Sequence, residues 1–141
     1  MINKSTINTG LIQTAALLGA LGVILGAFGA HGLKSKVPPE AISVFEVGVR
    51  YQVYHVFAIA LTGLLYGVGH KNRLKWAGRL FILGIILFSG SLYALTFAMG
   101  AANPALLKLG IITPLGGVCF IAGWLLLAFS FGKENKNSDT I

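Results

Sequence analysis

Acidic residues are scarce in this chain: four carboxylates, Glu40, Glu46, Glu134 and Asp139, stand against eleven Lys and Arg in 141 residues. None of the four lies deep in an apolar run, so a carboxylate-driven proton or sodium carrier would be without its usual ligand. The single cysteine, Cys119, excludes an intramolecular disulfide and any paired-thiol metal or redox motif. HExxH strings and glycine-rich phosphate loops are absent, and no carboxylate stands near the histidines to complete a zinc site. Nothing supports a Ser-His-Asp triad. Charged residues make up 11% of the sequence and hydrophobic ones 55%, with a mean hydropathy of +0.80. A soluble domain with that balance would have to expose a large apolar patch.

The apolar residues fall into four runs, Leu11 to Ala30, Tyr51 to Val68, Leu80 to Met99 and Ile111 to Phe131, with most of the charge between them. Each has about the ~20 residues a helix needs to cross a ~30 Å hydrocarbon core. The runs are continuously apolar, whereas barrel strands alternate every second residue, so helices are expected. The predicted fold is an all-α, four-helix transmembrane bundle with spans near 11–31, 50–69, 77–99 and 111–131. It forms one domain over 1–131, followed by a polar, disordered tail over 132–141. The first run superficially resembles a signal peptide, but it exceeds the usual ~7–15-residue apolar stretch and reads as a retained span.

The basic residues sit beside span ends, where headgroups and topology account for them, so the net charge of +7 does not point to nucleic acid. Lys4, Lys71, Arg73, Lys75, Arg79, Lys133 and Lys136 fall on one face, and Lys34, Lys36, Arg50 and Lys108 on the other, seven against four. This asymmetry predicts a multi-pass protein of the cell membrane with both termini in the cytoplasm. Val37-Pro38-Pro39-Glu40 is a helix-start signature. It predicts a short interfacial helix in the first outer connection, or else an extension of span two. Glu46 and Arg50, four apart with the acid first, form a candidate interfacial ion pair. Asn103-Pro104 and Thr113-Pro114 repeat the cap-and-proline pattern, giving either a short surface helix before span four or a helix kinked at Pro114.

At about 100° per residue, Ala15, Gly19, Gly22, Gly26, Gly29 and Ala30 share about a third of the circumference of span one, opposite a bulky Leu, Ile and Phe face. Helices in lipid associate by close backbone approach, which favours this small-residue face, with Gly22 and Gly26 forming a GxxxG pair. Span four offers Gly116, Cys119, Gly123 and Ser130 in return, which makes Cys119 a packing residue.

Span two differs from the others in placing Tyr51, Gln52, His55, Thr62 and Tyr66 within an arc of about 100°. Span three adds Ser89, Tyr93 and Thr96. Connectivity alone brings His31, the start of span two, the end of span three and Thr113 to one membrane face. The candidate cluster is therefore His31, Tyr51, Gln52, His55, Tyr93 and Thr96. These groups either bond one another across helices or form a small site where the histidines bind a metal, relay a proton or hold a headgroup.

Four strings stand in register: GAFGAHGL from Gly26, YQVYH from Tyr51, FSGSLY from Phe88, and TPLGG from Thr113 followed by Gly123-Trp124. Over about Ala15 to Phe131 the chain resembles the domain of unknown function 423 family, also called uncharacterised protein family 0382, whose animal relative is transmembrane protein 256. The resemblance implies a four-span protein of the bacterial cell membrane and brings no biochemical activity with it. The expectation is a non-enzymatic accessory or scaffold protein without cofactor or metal. Its partners would be the lipid bilayer and either further copies of itself or a larger membrane complex. The alternative is a small transporter or channel using His31, Gln52 and His55, and a third possibility is a lipid or quinone headgroup site at Tyr51, His55 and Tyr93.

Overall fold

The computed structural model describes residues 6–102 and 108–132, and among them every regular element is helical. Asn103-Pro104, the orientation markers Lys4, Lys133 and Lys136, and the tail beyond Gly132 lie outside these residues. Helix α1 runs over Thr9–His31, its start capped by Asn8, whose side chain accepts from Leu11 N. Helix α2 covers Pro39–Leu64 without a break, with proline in its first turn and Glu40 beside it. The Pro39-started segment is continuous with the rest of α2 and forms no separate short helix, because nothing after Pro39 interrupts the hydrogen-bond ladder.

Helices α3 (Lys71–Gly84) and α4 (Gly90–Gly100) are joined through a π-helical segment, Ile85–Ser89, into one rod of 30 residues. Helix α5 (Thr113–Ala128) follows directly from a 3₁₀ stretch, Lys108–Ile112. Pro114 falls in its first turn, where a missing N–H costs no hydrogen bond. Thr9–His31, Lys71–Gly100 and Lys108–Phe131 are each long and apolar enough to cross a membrane. Helix α2 is as long but more polar, and it holds the centre: α1 packs chiefly on α2, the α3–α4 rod lies on α2's other side, and α5 packs on α3 and the π segment.

Glycine sets both outer contacts. A Cβ added to Gly19 would stand 3.4 Å from Val56, at Gly22 3.4 Å from Gln52 and Val53, at Gly26 3.6 Å from Val49, and at Gly29 2.8 Å from Phe45. The four notches of α1 thus receive successive ridges of an antiparallel α2. On the far side Phe88 fills the notch at Gly116, Phe120 that at Gly84, and Phe81 that at Gly123, again in antiparallel order. Phenylalanine and glycine alternate across this seam: the Phe120 and Phe81 rings lie on the opposing backbone, while at Gly116 the Phe88 backbone itself makes the close approach, and dispersion over many such contacts holds the helices together.

Candidate functional site

Because α2 is flanked on both sides, its mid-helix polar residues Gln52, His55 and Thr62 face protein. Gln52 and His55 are 1% and 5% exposed, and Thr62 is fully buried. Buried polar groups cannot go unbonded without cost, so each of these must find a partner within the protein.

Gln52 ties three helices together. Its Nε2 donates to Leu18 O of α1 at 2.8 Å, and its Oε1 accepts from Tyr93 OH of α4 at 2.8 Å. The first bond depends on Gly22, whose missing side chain leaves the amide room to reach the α1 backbone. The Tyr93 ring lies over Gly48, where a Cβ would stand 2.7 Å from it, and packs 4.8 Å from the Phe45 ring.

His55 sits at the α2–α5 junction. Its Nδ1 is 2.7 Å from Tyr51 O, and its Nε2 accepts from Trp124 Nε1 at 3.2 Å. A carbonyl oxygen can only accept and an indole N–H can only donate, so the two contacts select the imidazole with its proton on Nδ1. Phe120 stacks on the ring at 3.4 Å between centroids and 8° between planes. Phe81 and Trp124 add tilted and edge contacts. As arranged, neither nitrogen offers a free lone pair to a metal or a free proton to a relay.

Further along, Thr96 donates to Leu92 O and Ala41 O at 2.9 and 3.2 Å, Ser91 and Thr113 share a 2.7 Å hydroxyl contact, and Thr62 donates to Ile59 O at 2.7 Å. Ser89 Oγ, inside the π segment, is the one buried side-chain polar atom among the described residues that has no partner.

The expected cluster is thus distributed over several contacts. Gln52 meets Tyr93, and Thr96 lies a turn further along α4 against the start of α2. The Tyr51 ring is 38% exposed and stacks 4.5 Å from Phe88, while its carbonyl serves His55. His31 stands apart in the last turn of α1, exposed. Glu46 and Arg50 project from α2, and no ion pair joins them. No group of three His, Cys, Asp or Glu is placed to hold a metal among the described residues. Cys119 is free and half-buried. Sequence reasoning passed over Trp124, Ser91 and the glycines Gly48 and Gly84. The signal for Trp124 was an indole N–H far from either end of an apolar run, where it needs an acceptor.

A family model described as a protein of unknown function, DUF423, matches residues 25–117, a stretch that includes Gln52, His55, Tyr93 and Thr96. A UPF0382 membrane protein of Staphylococcus haemolyticus is 44% identical over 122 residues, covering 86% of this chain and 94% of its own length. The UPF0382 membrane protein YwdK of Bacillus subtilis is 43% identical over 126 residues, covering 86% of this chain and 95% of its own. No solved structure matches the chain.

Proposed function

The chain belongs to the DUF423 family of UPF0382 membrane proteins, and from that premise we propose that it crosses the membrane four times as a non-catalytic accessory or scaffold protein. The fourth crossing is α2. Its 26 residues reach about 39 Å at about 1.5 Å each. It also lies against α1 from Phe45 beside Gly29 to Gly63 beside Ile12, nearly the full length of α1. A helix paired with a spanning helix over that length shares its crossing, and its mid-helix Gln52, His55 and Thr62 are tolerated because they are buried against neighbouring helices. Both termini then lie on one side, and the balance of Lys and Arg makes that side the cytoplasm. The wider assembly is a four-helix bundle of the cell membrane.

One observation carries the scaffold reading: His55 and Gln52 have their polar atoms engaged within the chain. Bonds of this kind specify helix packing and leave neither of these two side chains to ligate a passing ion. The outer faces of α1 and α5, with Leu17, Val23 and Ile24 on one and Val118, Ile121 and Leu125 on the other, are exposed and available to lipid or to a partner's helix.

Affinity purification from native membranes in mild detergent, followed by mass spectrometry, tests the proposal. It expects a reproducible membrane partner, and recovery of the protein alone counts against it. A transporter would instead require His55→Ala to fold normally and lose a proton or metal flux in proteoliposomes.

A further inference from the structure

At the end of the molecule where α2 finishes and α3 begins lies an open cavity of about 680 Å³, walled by Tyr66, His70, Lys71, Asn72, Lys75 and Ser130. The basic residues nearby are committed unequally. Arg73 donates Nη1 to Phe129 O at 2.6 Å, closing the end of α5, and the Arg79 guanidinium lies 5.1 Å from the centre of the Trp76 ring. Lys71 and Lys75 line the cavity, with Lys71 Nζ 5.9 Å from the centre of the Tyr66 ring.

No acidic residue stands in the first turn of α3, and the two acids among the described residues, Glu40 and Glu46, belong to the opposite end of α2. Two ammonium groups four residues apart on one helix repel each other, and here the positive end of the helix dipole adds to that repulsion. A bound anion reverses the sign of both terms. The hydroxyl of Tyr66 and the amide of Asn72 add hydrogen-bond donors around it.

The remaining wall is apolar. Val68 and Phe131 line the same cavity and are 74% and 49% exposed, Phe129 beside it is 65% exposed, and Trp76 stands a turn into α3 as an interfacial anchor. A cationic floor continuous with a greasy wall suits an amphiphile better than a free anion. We propose that this cavity holds the phosphodiester headgroup of an anionic phospholipid, with its acyl chains lying along the Val68, Phe129 and Phe131 surface.

Thermal unfolding of the full chain is followed in dodecyl maltoside micelles doped with phosphatidylglycerol, with phosphatidylcholine of the same chains, or with inorganic phosphate in the buffer. Phosphatidylglycerol raises the midpoint with dose, as a ligand of the folded state must, and the other two leave it unchanged. Lys71→Gln with Lys75→Gln raises the phosphatidylglycerol needed for half the effect by about tenfold, whereas Lys34→Gln with Lys36→Gln, the same charge change at the opposite end, moves it by less than about twofold. Each variant is referred to its own midpoint in phosphatidylcholine, which separates lipid response from intrinsic stability. Asn72→Glu, with both lysines intact, removes the response by placing a carboxylate in the cavity. Equal weakening by the two lysine pairs, an unweakened response of the Lys71 and Lys75 variant, an unchanged response of Asn72→Glu, or a matching shift from inorganic phosphate alone overturns the proposal.

Discussion

Two glycine-to-alanine changes, one on each side of α2, are predicted to have opposite effects. At Gly116 the added methyl would press on the backbone nitrogen of Phe88, with Phe88 Cβ at 2.7 Å and Cα at 2.8 Å, where ordinary contacts begin near 3.4 Å. A side chain can rotate away, but a backbone in mid-helix cannot, so α5 must move off the π segment by more than half an ångström. Overpacking of this kind costs about 1–3 kcal/mol, and the separation also loosens the Phe120 and Phe81 rings seated at Gly84 and Gly123. At Gly26 the same methyl would meet only Val49, at 3.6 Å, an ordinary contact. Alanine there gains helix propensity of up to about 1 kcal/mol and a few dispersion contacts. The propensity gain is shared by both changes, so the two variants should differ by about 1–3 kcal/mol in reversible unfolding in mixed micelles, with Gly26→Ala at or above wild type. Equal stabilities, or a larger loss at Gly26, would refute the interlocking of phenylalanine and glycine between α5 and the α3–α4 rod.

The other predictions concern the polar bonds. Nitrogen chemical shifts of His55 should report the proton on Nδ1, and Trp124→Phe should perturb the Nε2 resonance while leaving Nδ1 nearly unchanged; a proton on Nε2 in the wild type would contradict the hydrogen-bond assignment. A double-mutant cycle of Gln52→Leu and Tyr93→Phe should give a coupling of about 0.6–1.7 kcal/mol, the range for bonds between membrane helices, and a coupling of zero would mean the amide and phenol do not meet.

The small-residue face of α1 was legible because α1 is a regular helix with one principal neighbour, so a single wheel captures its contact. The α3–α4 rod was harder, since it has neighbours on two sides. Tyr93 and Thr96 meet α2, while Ser91 meets Thr113 at the start of α5, and a search for one polar arc kept the first pair and dropped Ser91. The π segment also changes the helical phase between Gly84 and Ser91, which no wheel drawn at constant pitch anticipates. Gly84 forms no stripe on its own helix. It is a notch for one ring, Phe120, and only the partner helix reveals it.

The polar residues of α2 were visible as an arc, but their roles depend on partners in other helices. Gln52 bonds to α1 and α4, and His55 takes an indole from α5, pairings separated by 34, 41 and 69 positions. His31 was grouped with them because connectivity brings the ends of α1 and α2 to one face. Sharing a face is a weaker condition than contact, and His31 is exposed at the helix end.

The central claim is that α2, which carries the buried Gln52 and His55, crosses the membrane beside α1. Lys34→Cys and Lys71→Cys flank α2, and with Cys119→Ser as background each can be labelled with a membrane-impermeant maleimide from either side of oriented vesicles. Lys34→Cys should react only from the outer face and Lys71→Cys only from the cytoplasmic face. Reaction of both from the same side would contradict the account.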